Sequence, residues 1–419
     1  MGIENLVYKK RKHCASCNSS NFINILDLGV VPLAGYFPTK EQVISKKESK
    51  YSLNLLSCNK CKLVQTDSVI DPDELFKDYR YMSSISLSKH FNSLAHILNK
   101  KYNIKNKYIL EIGCNDGVLL EPLSKLGAIA EGVDPATNIV KLATKKGLTV
   151  YNTYFNYNNF KESKYKNKYD LVLSNNAFAH ITDIKNVIKG IKHILKPSGN
   201  FIFEVHYLKN LLEEYQWDNI YHEHIYYYSI TSLCNMFAKF DMTVIDFEEI
   251  PIHAGSIRVT VKNKKVDIPL KVKDRLNKES LTICNDNFLG KYNTKVSQHI
   301  NNFKTQIKEL SKKYTIAGYG ASGRANMFCN ITGLNVNDIK FIVDESPERC
   351  GRHIANTEIP IVDIETLKNS DVDLLIIFAW NYSQMIIEKT QFKQFKYLVA
   401  FPHIQIVDKI SELKYFKSI

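Results

Sequence analysis

Two histidines and a glutamate stand together at Tyr221-His222-Glu223-His224, inside a stretch from Trp217 to Ser229 that is dense in titratable and aromatic side chains. Imidazole is the side chain best placed to exchange a proton near neutral pH. A carboxylate such as Glu223 could orient an imidazole or raise its basicity. A phenol such as Tyr221 could donate a hydrogen bond to a developing oxyanion. His222 and His224 are only two apart, so the His-Glu-x-x-His zincin motif is absent. On an extended segment the two would share one face, with Glu223 pointing away from both. Taken alone, the run reads equally well as a tyrosine-rich strand with surface histidines.

A second chemistry lies in Cys14-x-x-Cys17 and Cys58-x-x-Cys61. Four thiolates in two such knuckles can close a tetrahedral shell around zinc, and four sulfur ligands leave no position open for water. The expected zinc is therefore structural. The gap between the pairs exceeds the roughly 15–20 residues of a compact ribbon. The site would thus hold together an inserted segment that includes Leu28 to Leu33.

Elements must position these groups. Lys107 to Gly113 reads as a buried strand of a parallel sheet, and Val118 to Leu126 as the helix after it. The turn between them, Gly113-Cys114-Asn115-Asp116-Gly117, is where an open α/β sheet binds its ligand. It lacks Gly-x-Gly-x-x-Gly. An acid-bearing turn without that glycine triplet suits a cationic sulfonium with an amino-acid tail better than a pyrophosphate. Ile129 to Asp134 is the next strand, and Asp134 could accept both hydroxyls of an adenosine ribose. Tyr169 to Asn176 reads as a fourth strand leading into Ala177-Phe178-Ala179-His180; a helix, a turn at Leu195 to Asn200 and a strand at Phe201 to Val205 follow. Further on, Pro251 to Val259 reads as a loop into a strand, and about 272–313 as helix-rich. Tyr314 to Asn326 then gives a strand, a glycine turn and a helix start, a natural anion site. Phe341 to Glu345 and Asp373 to Trp380 add strands to this second Rossmann-like unit.

The bulk numbers agree with several globular domains. The chain has 419 residues, 44% apolar and 24% charged, which excludes a mainly disordered chain. The net charge of +13 is spread over lysines along the whole length, with no arginine-rich arm and no aromatic base-stacking patch, so a nucleic-acid partner is not expected. A positive field would attract an anionic substrate such as a sugar nucleotide. Met1 to His13 lacks the apolar stretch of a signal peptide, and no run approaches the roughly 20 apolar residues of a membrane span. Nine cysteines without a secretion signal suggest the reducing cytoplasm.

The strand, turn and acid of the middle region resemble the class I S-adenosylmethionine-dependent methyltransferases. The whole chain resembles the sugar C-methyltransferases that act on nucleotide-linked 4-keto-6-deoxy sugars. The resemblance rests on the cysteine pairs, Tyr79-x-Tyr81-x-Ser83-Ser84, the glycine turn, Asn176-x-x-x-His180 and Tyr221-His222-Glu223-His224, in that order. It implies an α/β protein: a zinc module (1–80), a methyltransferase Rossmann-like domain (81–265) and a second Rossmann-like domain closing the sugar-nucleotide cleft (266–419). It implies S-adenosylmethionine at Glu111, Gly113, Asn115, Asp116, Gly117, Asp134, Pro135, Asn175 and Asn176, with S-adenosylhomocysteine as product. His224 inherits the role of base, with Tyr221, Glu223 and His180 as companions, and Tyr81 ahead of Tyr79 as the active-site tyrosine. His253, Ser256 and Arg258, from a His-x-Gly-Ser-x-Arg stretch, and Tyr319, Arg324 and Asn326 would hold the substrate. The family usually has Ala-Lys-Gly where this chain has Gly323-Arg324-Ala325, and arginine keeps the charge but changes the geometry.

The implied reaction is methylation at C3 of a TDP- or GDP-linked sugar by a cytoplasmic monomer. The 4-keto group acidifies the C3 proton, a base removes it, and the enolate attacks the methyl. An O- or N-methyltransferase on a related sugar would need no ketone. A non-catalytic RNA-binding or scaffold protein is suggested only by charge.

Overall fold

The computed structural model describes residues 8–45, 48–76 and 83–413. Tyr79 and Tyr81 lie outside them. The central sheet has seven strands in the spatial order Thr243–Ile250, Ser256–Lys262, Leu195–His206, Tyr169–Asn175, Tyr108–Ile112, Ile129–Asp134, Thr149–Asn152. All run parallel except Ser256–Lys262, which is antiparallel to both neighbours. This is the class I methyltransferase arrangement. Its inner strands are near-continuous apolar runs, because helices cover both faces of a parallel sheet. The sequence places a turn at Leu195 to Asn200; it is instead an irregularity inside one long strand, Leu195–His206.

The amino-terminal sheet is antiparallel, in the order Tyr226–Tyr227, Val64–Thr66, Lys50–Cys58, Phe22–Pro32. Its first strand comes from the tyrosines after His224, which pair with Gln65 and Val64. The cysteine module and the histidine run are therefore one sheet.

The carboxy-terminal sheet has five parallel strands, Ile361–Val362, Ile342–Val343, Ile316–Tyr319, Leu374–Ile377 and Lys396–Val399, closed by antiparallel Gln405–Val407. The largest apolar core runs continuously from Cys14 through the central sheet to Phe401. Trp217, fully buried, stacks on Phe328 at 4.8 Å and meets Phe401 at 5.3 Å, joining the middle of the chain to its carboxy-terminal third. The helix Leu270–Leu281 sends Glu279 to the start of the helix Ile230–Phe237, where its carboxylate accepts from Ile230 N, Thr231 N and Thr231 Oγ1 at 3.0, 2.8 and 2.6 Å. Among the described residues, no helix is long and apolar enough to cross a membrane.

Candidate active site

The four cysteines converge as their spacing predicts. All four sulfurs lie within 4.8 Å of one another, with Cys14–Cys61 at 3.5 Å and Cys17–Cys58 at 3.4 Å. A tetrahedral zinc with bonds of about 2.3 Å needs sulfurs about 3.8 Å apart, so the set fits. The Cys61 thiol beside it holds Cys14 down to about 4, while burial pushes Cys58 up. Asn235 and Lys239, at the helix Ile230–Phe237 and just beyond it, donate to the carbonyls of Cys61 and Ser16. This clamps the knuckles onto the central unit.

The donor turn forms at the carboxyl ends of the central strands. Gly113 (φ 73°) and Gly117 (φ 79°) are left-handed, and a Cβ on Gly113 would sit 2.5 Å from that of Ala177. Only glycine permits that approach. Asp134 accepts from the backbone N–H of Asn115 at 3.0 Å and of Ala136 at 2.9 Å. It thus fixes the turn, and each oxygen keeps a lone pair with which it could accept a ribose hydroxyl. The Pro135 carbonyl is taken by Asn152. Glu111 accepts from Asn175 through one oxygen at 3.1 Å; the other is buried and unpartnered, and burial pushes its carboxyl up to about 8. Asp116 Oδ1 and both ends of the Asn176 amide are also buried without partners. Acids and an amide left open on one rim fit a ligand that brings a cationic donor and further positive charge, as the ammonium and the sulfonium of S-adenosylmethionine do.

The histidine run is a turn rather than a strand: His224 N donates to Tyr221 O at 3.0 Å. His222 and His224 therefore part company, contrary to the shared face of an extended segment. His222 is fully buried against the amino-terminal sheet, with Nε2 3.3 Å from Ser52 O and the ring edge-on to Tyr51. Glu223 also turns away: its Oε1 accepts from Gly35 N at 2.9 Å. The carboxylate orients no imidazole; the Glu223 backbone carbonyl does, accepting from His180 Nδ1 at 2.6 Å.

His224 remains at the centre, 6% exposed. Its Nδ1 faces the Asn219 carbonyl at 3.3 Å, which can only accept, so Nδ1 carries the proton. Nε2 is then a lone pair, and the Tyr221 hydroxyl donates to it at 2.9 Å. Burial, then His206 and His180, lower the His224 pKa well below the ordinary histidine value, so the ring is neutral and basic in form. Its centroid is 4.9 Å from that of His180 and 4.7 Å from that of His206, and His253 is 5.6 Å from His206. His206 was not among the residues expected from sequence. Its one available signal was its place at the carboxyl end of a parallel strand.

Of the expected substrate ligands only His253 joins this cluster. Ser256 donates to Ile252 O and closes the turn before its strand. Arg258 bonds Glu204 at 2.8 Å and Glu248 at 3.0 Å, its register neighbours on either side, and His90 meets Glu204 at 2.7 Å. Tyr319 donates to Glu345. Arg324 bonds buried Asp218 at 3.0 Å and lies 4.5 Å over the Trp380 ring, whose N–H also donates to Asp218. Asn326 donates to the carbonyls of Leu33, Ala34 and Tyr36. The second glycine turn thus faces the chain itself: a Cβ on Gly323 would lie 3.2 Å from that of Ala34. Arg324 and Asn326 tie segments together here, although the Arg324 charge helps keep His206 and His253 neutral.

Family comparison gives three consecutive matches: a zinc binding domain over residues 14–76, a methyltransferase domain over 86–246 and a C-methyltransferase C-terminal domain over 251–402. The chain is 29% identical over 417 residues to the C-methyltransferase NovU of Streptomyces niveus, covering 96% of this chain and 98% of that one. It is 26% identical over 140 residues to a ubiquinone biosynthesis O-methyltransferase of Actinobacillus pleuropneumoniae, of which 57% is covered. An S-adenosylmethionine-dependent methyltransferase structure from Clostridium acetobutylicum covers 43% of this chain and 92% of its own, at 15% identity and a TM-score of 0.35.

Proposed function

We propose that this chain, which belongs to the S-adenosylmethionine-dependent C-methyltransferase family, methylates C3 of a nucleotide-linked 4-keto-6-deoxy sugar through an enolate. The observation that carries this reading is the pair of partners on His224: Nδ1 faces Asn219 O, which assigns it the proton, and Nε2 faces the Tyr221 hydroxyl, which leaves it the lone pair. Such a group is equipped to take a proton from carbon.

S-adenosylmethionine, when bound, supplies an electrophilic methyl on a sulfonium. Glu111, Asp116 and Asn176 would hold its amino-acid end, and Asp134 would accept from its ribose hydroxyls. Tyr221 must give up His224 Nε2 as the sugar arrives. Nε2 then removes the C3 proton, and the charge moves to the C4 oxygen. The hydroxyl that Tyr221 has freed is a donor for that oxygen. Substrate seated over the cluster would exclude water from it, and methyl transfer to C3, with S-adenosylhomocysteine leaving, then needs mainly positioning. The zinc module takes no part in the chemistry; its sheet supports the Tyr221–Tyr227 stretch. The protein works in the reducing cytoplasm as a monomer, on a TDP or GDP sugar, without nucleic acid.

The test is incubation with methyl-labelled S-adenosylmethionine and TDP-, GDP- and CDP-linked 4-keto-6-deoxy sugars in heavy water, read by mass spectrometry and NMR. One methyl gained on carbon, with the C3 hydrogen gone, is expected. A methyl on oxygen or nitrogen would overturn the enolate. His224→Ala should lose nearly all methylation while still binding cofactor; near-normal turnover would remove His224 as base.

A further inference from the structure

The mechanism above leaves one ring beside the base unused. His206 ends the strand Leu195–His206, on the rim where open α/β sheets bind ligands. Its ring lies 4.7 Å from that of His224. A substrate bound at His224 can therefore meet His206 as well. The other imidazole next to the base, His180, is tied to Glu223 O, and the base His224 is itself held by Asn219 O and the Tyr221 hydroxyl. Among the described residues no hydrogen bond reaches either nitrogen of His206, although the ring is half-buried. Sheltered polar groups in folded proteins are paired with protein or water, and one that the chain leaves open on the ligand-binding rim of a sheet is available to a ligand.

The chain also goes to some length to fix this ring. His253 (φ 51°), Ala254 (φ 67°) and Gly255 (φ 113°) are three successive residues in the left-handed half of backbone space. A Cβ on Gly255 would meet Asn210 at 2.5 Å, and Tyr207 N, next to His206, donates to Gly255 O at 3.2 Å. This tight turn lays the His253 ring 5.6 Å from that of His206. Strain of this kind is held where geometry matters for function.

We propose that His206 hydrogen-bonds the acceptor's oxygen next to the carbon that loses its proton, with His253 as the positioning residue that fixes its ring. This rests on the C-methyltransferase reading of the site. A neutral imidazole offers one N–H and one lone pair, which suits a keto or hydroxyl oxygen rather than a diphosphate. Burial, His253, Arg324 and His180 all act to keep the ring uncharged.

The experiment follows C3 hydrogen exchange into heavy water, with S-adenosylhomocysteine in place of the methyl donor, on whichever sugar nucleotide the wild-type protein methylates. His206→Phe keeps a flat ring and loses both nitrogens; His206→Asn keeps a donor. His206→Phe is expected to slow exchange and lower kcat/KM at least tenfold, with S-adenosylmethionine affinity and zinc content unchanged, and His206→Asn to recover at least threefold of that. Exchange by His206→Phe within twofold of wild type overturns the proposal. Should that variant lose S-adenosylmethionine binding, His206→Ala with added imidazole decides: rescue of exchange supports the contact, and wild-type exchange without imidazole overturns it. Wild-type protein that exchanges no C3 hydrogen while methylating another atom overturns the reaction reading and this contact together. Loss confined to the variants concerns His206 alone.

Discussion

A histidine sheltered from water has its acidity set by what surrounds it, and the five of the histidine cluster and its turn are pushed the same way. Burial lowers His180, His206, His222, His224 and His253, the last of these and His222 to about 4. The unfolded chain binds protons at these sites below about pH 6.5, where the folded chain does not. Stability is therefore fully present above about 6.5 and is lost as the pH falls from there toward the lowered values. His222→Phe should flatten that loss between about pH 6 and 4.5 in denaturant titrations, by about one proton in the slope; an unchanged slope would mean that His222 is not held neutral. Catalysis should follow the same sign. Because His224 stays in its base form, kcat/KM should be level from about pH 8 to 6 and fall only below that. A midpoint at or above 6.5 would contradict the lowered value.

Elements are held to one another by charged side chains that reach far along the chain. Glu279 caps the helix Ile230–Phe237 and also accepts from the Tyr207 hydroxyl at 2.7 Å. Glu279→Ala strips two helix N–H groups and a buried phenol of their acceptor, a loss of about 3 kcal/mol, measurable as a lower urea midpoint. Arg324 tests whether a residue holds substrate or structure. Its partner Asp218 is fully buried, and a buried pair broken on one side costs about 3–5 kcal/mol. Arg324→Ala should lower stability by that order. A variant of unchanged stability whose KM alone rises would return Arg324 to the substrate.

At the scale of the whole molecule, the cysteine module packs against the stretch that carries the histidine cluster. Its sheet takes in Tyr226–Tyr227, its loop receives Glu223 at Gly35 and Asn326 at Leu33 to Tyr36, and its knuckles are gripped from the helix Ile230–Phe237. Purified protein should carry about one zinc per chain by metal analysis; less than about 0.5 would count against the site. Removing the metal with a chelator should abolish methylation even though zinc performs no step. Full activity in metal-free protein would separate the two. The sequence by itself determined what short-range geometry fixes. Two Cys-x-x-Cys knuckles, a glycine turn between strand and helix, and an acid closing the next strand are set by neighbouring residues, and all appear where their spacing put them. Tertiary structure decided which side chains meet. A turn at Tyr221–His224 separated two histidines that a strand would have aligned, and a strand end and a strained turn brought His206 and His253 to the base. Pairings 54 and 106 residues apart drew Arg258 and Arg324 into ion pairs. Contacts at that range depend on how sheets are ordered and packed, which the sequence pattern near either partner does not record.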